Sequence, residues 1–335
     1  MTPLRIRQDL QAELGSLQSL LTRTPDDPLA TPMLRGRIAN LQVRLKDLEE
    51  RPPLTPTTEL FFREGATCGS EGLETTFASG VLESYQNMVS DHYAAKNYGK
   101  LRRFGRRRRE AETQLYLTAL PRGSFGLQLS QHQVEDFVAA TNLSEAMLQI
   151  SFLVEATAES DATFERALAE YDTRVFRPLK RFVETLHTGG GDCRIVTGFH
   201  ETQLSHDQII AAYDRVDAAD LEEKNEIVPG TFGGLLTNSW HFDFCPDGGD
   251  WIRGKLSEEI SDAVAADWNT HFTSKLVLAE LKISTVVTRT GRKKPGYELI
   301  NLKPLNEPPS ALPAPATQPE PPATRVKRKS NFGEG

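Results

Sequence analysis

Apolar residues recur at heptad spacing at the start of the chain. Leu10, Leu14, Leu17 and Leu21 follow one another at intervals of four, three and four residues, and Leu34, Ile38, Leu41, Leu45 and Leu48 continue the pattern. That spacing is the a/d seam of two helices. Pro25, Pro28 and Pro32 lie between or at the edge of the two runs and interrupt the helix. Thr31 is expected to cap the second helix, with Pro32 at its first position. Two such helices on a short loop fold back as an antiparallel coiled-coil hairpin. Each carries only about two heptads, too little to be stable alone. The hairpin therefore needs the rest of the chain, a second copy, or another protein.

The pattern changes after the stiff segment Arg51-Pro52-Pro53-Leu54-Thr55-Pro56. Residues 57–63 (TTELFFR) predict a strand, and the stripe Phe77, Val81, Leu82, Tyr85, Met88, Val89 predicts a helix over 73–95. Residues 111–120 and 124–129 read as two strands joined across Pro121-Arg122-Gly123. From Ser130 to about Leu186 the period is helical, with Ser130, Ser144 and Ser160 as expected caps. A strand at 193–199 and a helix at 204–216 complete a central α+β unit.

Beyond residue 225 the chain becomes strand-like. Trp240, Phe242 and Phe244 alternate with His241, Asp243 and Cys245, as one buried and one exposed face would. Residues 246–250 form a hairpin turn, 257–266 a short helix, and 275–288 and 297–302 paired strands. A small barrel-like domain of SH3-like or OB-like size is the expected architecture. The last thirty residues are proline-rich and polar, a composition that predicts a disordered tail. The predicted fold class is thus α+β. It comprises a coiled-coil hairpin (1–50), a proline-rich linker (51–56), a central α+β domain (57–218), a small β-barrel-like domain (219–305) and a disordered tail with a basic cluster (306–335).

A length of 335 residues fits about two folded units with appendages. The formal net charge of −7 means that any affinity for polyanions must come from a local patch. Cys68, Cys193 and Cys245 are too few and too scattered for a disulfide framework or a zinc pattern, which points to a reducing compartment. No signal peptide is expected at the N-terminus, nor any membrane span, so a soluble, cytoplasmic protein is expected.

The densest patch is Lys96, Lys100, Arg102, Arg103, Arg106, Arg107, Arg108 and Arg109, interleaved with Tyr93, Tyr98 and Phe104. Guanidinium groups bind phosphates bidentately and aromatic rings stack on bases. A solvated loop neutralised by nearby carboxylates is the competing reading. Arg289, Arg292, Lys293 and Lys294 form a second basic turn on the expected barrel. The Gly-rich loop 65–72 lacks the lysine of a phosphate-binding loop, and Arg122 replaces the first glycine of a nucleophile elbow. His200 and His206 are six residues apart, which does not place them on one helix face as a zinc pair. His241, Asp243, Cys245, Asp247 and Asp250 read as a hairpin face and its turn rather than a metal site. No catalytic residue or cofactor is predicted. The expected function is a non-enzymatic interaction or scaffolding protein that assembles through its hairpin, with itself or with a protein partner. Nucleic-acid binding through the two basic segments is the alternative, and an enzyme acting on a phosphate-containing substrate is a weaker one.

Overall fold

The computed structural model describes residues 1–23, 28–97, 112–121, 125–132, 136–236, 240–257 and 259–305. The fold is mixed α+β. Lys100 to Arg109 and the tail, including Arg325, Lys327, Arg328 and Lys329, lie outside the described residues, as do Arg122, Gly123 and Ser124.

Helices α1 (Pro3–Arg23) and α2 (Ala30–Glu50) run side by side. Leu10, Leu41 and Leu48 are buried between them, with Ile6, Leu14, Leu17 and Leu45 packed around. Arg37 of α2 pairs with Glu13 of α1 at 2.5 Å. Thr31 is not the cap, because α2 begins at Ala30 and the preceding Leu29 makes no side-chain cap. Apart from the start of α1, extensive contact is confined to the two helices themselves. Each is about 30 Å long at 1.5 Å per residue.

The central unit is a five-stranded antiparallel sheet in the order β4–β5–β1–β6–β7. These strands are β1 (Thr57–Arg63), β4 (Tyr116–Ala119), β5 (Phe125–Ser130), β6 (Asp192–Thr197) and β7 (His200–Leu204). Leu60 of β1 stands opposite Leu127 of β5 and Ile195 of β6, and all three enter one buried core. Helices α3 (Thr75–Asn97), α4 (Phe137–Glu159), α5 (Asp161–Glu170), α6 (Phe176–Gly189) and α7 (His206–Asp217) supply the rest of that core. By length and composition α4 is apolar enough to cross a membrane, contrary to the reading of the sequence. Here Leu143, Met147, Ile150 and Val154 bury it in the core.

Local signals were misplaced at two helix starts. Asp136, not Ser130, caps α4 by accepting from the Val138 amide, while Ser130 ends β5 and Ser144 lies inside the helix. Ser160 does cap α5, and Ser205 caps α7 with a full capping box through Gln208. The 65–72 loop does not lead directly into a helix. It folds into a small ribbon of β2 (Thr67–Cys68) and β3 (Gly72–Leu73) before α3 starts at Thr75.

The other face of the sheet receives the start of the chain. Leu4 packs on Phe61 and Val196, and its amide donates to the Gly198 carbonyl at 3.0 Å. Glu59, fully buried, accepts from the amide and hydroxyl of Thr2, each at 3.3 Å. Arg5 lies 3.7 Å from the same carboxylate and 4.9 Å from the Phe61 ring centre. The start of α1 is thus fixed to the sheet, with Arg7 also over the Phe199 ring at 5.6 Å.

The last five strands close in the order β8–β9–β10–β12–β11 and back to β8. They are β8 (Asp220–Leu236), β9 (His241–Pro246), β10 (Ile252–Leu256), β11 (Lys275–Val287) and β12 (Lys293–Pro304), with helix α8 (Asp262–Phe272) between β10 and β11. Only the β10–β12 pairing is parallel. Phe242 and Phe244 point inward and are fully buried, while His241, Asp243 and Cys245 are only partly covered. The short helix starts at Asp262, later than the sequence pattern placed it, with Ser261 as its cap. Val286 of β11 is buried in the central core, so the two units share packing.

Candidate functional site

A cleft of about 1120 Å³ separates the central unit from the β9–β10–β12 side of the strands that follow. The segment joining α5 to α6 forms its floor. There Asp172 accepts from the Arg174 amide at 3.0 Å, which caps the 3-10 turn Thr173–Val175. The same carboxylate meets Lys255 of β10 at 2.5 Å and the Arg174 guanidinium at 3.2 Å. Burial works to raise the Asp172 carboxyl, but the Lys255 and Arg174 charges outweigh it and hold the group well below the usual carboxylate range. Gly296 of β12 makes this approach close, since a Cβ there would lie 2.6 Å from the Thr173 hydroxyl.

One wall of the cleft comes from α3 and α4. His92 and Tyr171 pack with their rings tilted by 39° and centres 4.7 Å apart, and the Tyr171 hydroxyl donates to the Gln149 carbonyl at 2.6 Å. His92 Nε2 lies 2.5 Å from Gln149 Oε1, which fixes the proton on Nε2 if that amide oxygen accepts. Nδ1 is buried and has no hydrogen-bond partner among the described residues. Burial pulls the imidazole below its ordinary range despite the Gln149 hydrogen bond. One helical turn on, Lys96 pairs with Glu145 at 2.7 Å.

The basic turn on β11–β12 is committed to a contact within the protein. Arg289 reaches Asp161 at the start of α5 at 2.5 Å, and Asp161 also takes Arg215 at 2.7 Å. Hydrogen bonds from Arg289 and Arg215 hold the Asp161 carboxyl below its ordinary range. Glu165 accepts from Thr288 at 2.7 Å and from Thr290. Lys294 donates to the Leu168 and Tyr171 carbonyls at the far end of α5, where burial pulls its ammonium down to about 8. One face of the turn is thus latched along α5 from end to end. Arg292 and Lys293 remain exposed.

Of the residues expected to meet polyanions, the structure therefore gathers Lys96 and Lys294 at the cleft and commits Arg289 and Lys294 to the latch. The remaining cations of the first basic segment lie outside the described residues. Among the described residues no group of three His, Cys, Asp or Glu side chains is placed to hold a metal. Asp243 instead pairs with Arg253 at 2.8 Å, and His200 lies 3.0 Å from Glu155. The cleft residues His92, Asp172 and Lys255 were not singled out in the sequence. Only the His92–Lys96 spacing of one helical turn hinted at a shared face.

Along the hairpin seam, burial divides by position. Leu10, Leu41 and Leu48 are buried, whereas Leu14, Leu17, Leu21, Leu34, Ile38 and Leu45 are half-buried. Leu20, Leu29 and Met33, toward the turn, are exposed. Two helices cover only part of a stripe of this width. No protein-family model, no curated protein and no solved structure matches this chain.

Proposed function

We propose that the protein is a non-enzymatic assembly protein whose N-terminal hairpin is a coiled-coil module that pairs with the hairpin of a second copy. The observation that carries this reading is the half-buried seam. Six of its apolar side chains keep water contact although the hairpin is anchored at its base through Leu4 and Glu59. Pairing two hairpins completes a four-helix bundle, in which that stripe is enclosed. Removing apolar surface from water stabilises by about 25 cal/mol per Å², so enclosing the part of these six side chains that is still exposed favours association. On this reading the strands 220–304 are a separate barrel domain of OB type. Their strand order, with a helix between the third and fourth strands and one parallel pairing, supports that assignment.

Co-expression of two copies with different affinity tags tests the assembly. The wild-type copies are expected to co-purify, and Leu17→Glu with Ile38→Glu in both copies is expected to abolish it while leaving the circular-dichroism spectrum near that of the wild type. Failure of the wild-type copies to co-purify would contradict the reading.

A further inference from the structure

One end of the barrel carries an uncovered apolar face. Val277 of β11, Phe232 of β8 and Phe244 of β9 are buried in the barrel core. Strand alternation therefore turns Leu276, Thr231 and Cys245 outward, and they form one cross-strand row. Leu276 is 53% exposed. Beside the row the Trp251 indole lies on Gly233 of β8, where an added Cβ would fall 2.6 Å from the ring and 3.1 Å from Asp243 Cβ. Trp251 is 60% exposed, whereas Trp240 and Trp268 are buried. An indole and a leucine left open on one sheet face form a patch of the kind that a further chain segment covers.

The charges around this face are unevenly committed. Arg253 holds Asp243 through Nε at 2.8 Å and Nη2 at 3.2 Å, so that pair is neutral. Asp247 and Asp250, in the turn before Trp251, are exposed, and neither carboxylate has a hydrogen bond or ion pair among the described residues. The backbone fixes their turn. The Asp247 amide donates to the Pro229 carbonyl at 3.1 Å and the Gly249 amide to the Pro246 carbonyl at 3.0 Å. Lys275 is exposed on the other side, next to Leu276. The Trp251 side of the face therefore suits a partner that brings several cations.

The end of β12 brings such a segment to this place. Pro304 pairs with Val277, Val277 with Gly230 and Gly230 with Pro246, so the chain leaves the barrel in the row that ends at the acidic turn. Three strand spacings, about 15 Å, separate the two points. The cluster Arg325, Lys327, Arg328 and Lys329 begins twenty residues after Leu305, enough chain to span about 65 Å. We infer that this basic cluster folds back and docks on the face of its own barrel, with its cations on Asp247, Asp250 and the Trp251 ring. A cation over an indole gains cation–π attraction beside the carboxylates. The tether keeps the cluster at an effective concentration of about 1 mM. Docked, the tail closes the Trp251 face to other ligands and withholds its own cations from polyanions. The contact is autoinhibitory and independent of the hairpin seam.

Carbodiimide coupling of lysine amines to carboxylates in the full chain tests the proposal, with peptide mapping of the denatured band at the single-chain mass of 37.3 kDa. Linked peptides joining Lys327 or Lys329 to Asp247 or Asp250 are expected. They should vanish in the Asp247→Asn, Asp250→Asn protein, and also at about 1 M salt, where the screening length is about 3 Å. They should persist in the Leu17→Glu, Ile38→Glu protein, which separates this proposal from assembly through the hairpin. Acrylamide quenching supplies a second readout, because Trp251 is the exposed indole. Arg325→Glu, Lys327→Glu, Arg328→Glu and Lys329→Glu together should raise quenching at low salt to the level that wild type reaches at high salt. Thermal melts report that each variant is folded. The proposal is overturned if Lys327 and Lys329 couple to Asp247 and Asp250 no more than to the exposed Glu71, or if the links occur only at twice the single-chain mass. Links from Lys100 in their place, or quenching that the four Glu substitutions leave unchanged, also overturn it.

Discussion

The Lys255 ammonium of β10 lies 2.5 Å from the Asp172 carboxylate at the head of α6. The contact ties the closing strands to the central unit at the floor of the cleft. Both side chains are largely covered, at 16% and 18% exposure, so neither charge is fully solvated if the other is removed. Asp172→Asn is expected to cost about 2 kcal/mol at neutral pH, below the range for a fully buried pair. The folded carboxyl titrates below its unfolded value, about 3.9. Its stabilisation is therefore present above that value and is lost as pH falls through the folded one. Denaturant melts should show the gap between wild type and Asp172→Asn closing as pH drops below about 4. A gap that stays constant down to the acid limit would contradict the assignment.

Lys294 gives the opposite sign. Burial lowers its folded value to about 8 from 10.5. Between those values the unfolded chain binds more protons than the folded one, so stability rises with pH across that window. Below it, the ammonium is charged in both states and the cost of burying it is borne in full. Wild type is expected to gain stability relative to Lys294→Met as pH rises from about 8 toward 10.5, measured by thermal melts of the two proteins side by side. Parallel curves for the two would show that Lys294 does not titrate in this range.

Gly15 and Gly36 sit inside α1 and α2 with nothing within 4 Å of an added Cβ. Alanine at either position removes backbone freedom from the unfolded chain without a clash. Each substitution is expected to stabilise the hairpin by about 1 kcal/mol. Gly65 is the contrasting case: its φ is +56° and an added Cβ would fall 1.2 Å from the Gly190 carbonyl oxygen. Gly65→Ala should destabilise by more than about 2 kcal/mol. Equal melting temperatures for the two classes would count against the packing described at both places.

The three thiols should separate by reactivity. Cys68 is exposed, Cys245 partly covered and Cys193 buried, with burial pushing the Cys193 thiol up to about 12. A thiol-reactive dye under native conditions should label Cys68 first and leave Cys193 untouched until denaturant is added. Rapid native labelling of Cys193, read by peptide mapping, would contradict its place beside Phe62 in the central sheet.

What the sequence revealed and what it hid have a common physical basis. Period and spacing report on neighbours along one element. Strand β1 at 57–63 and the inward set Trp240, Phe242, Phe244 follow from alternation, and the heptad leucines follow from helical spacing. Helix starts were harder, because Ser130, Thr31 and Asp136 all have capping side chains and only the tertiary fold selects Asp136. Strand β8 was hidden in its first half. The run Asp220 to Asn225 is mostly polar and exposed, with Leu221, opposite the buried Val286, its one apolar contact with the core. The cleft was not legible at all. His92, Asp172 and Lys255 come from three distant stretches of chain, and no local pattern reports that they converge. The basic turn at 289–294 was visible as charge, but its carboxylate partners on α5 were not.

The half-buried seam of the hairpin is the observation on which the functional account stands, and the mass of the full chain in solution tests it most directly. Light scattering across a concentration series should give twice the chain mass of 37.3 kDa for wild type. It should give a single chain mass for the Leu17→Glu, Ile38→Glu protein. A wild-type protein that stays at 37.3 kDa at every concentration would contradict assembly through the hairpin.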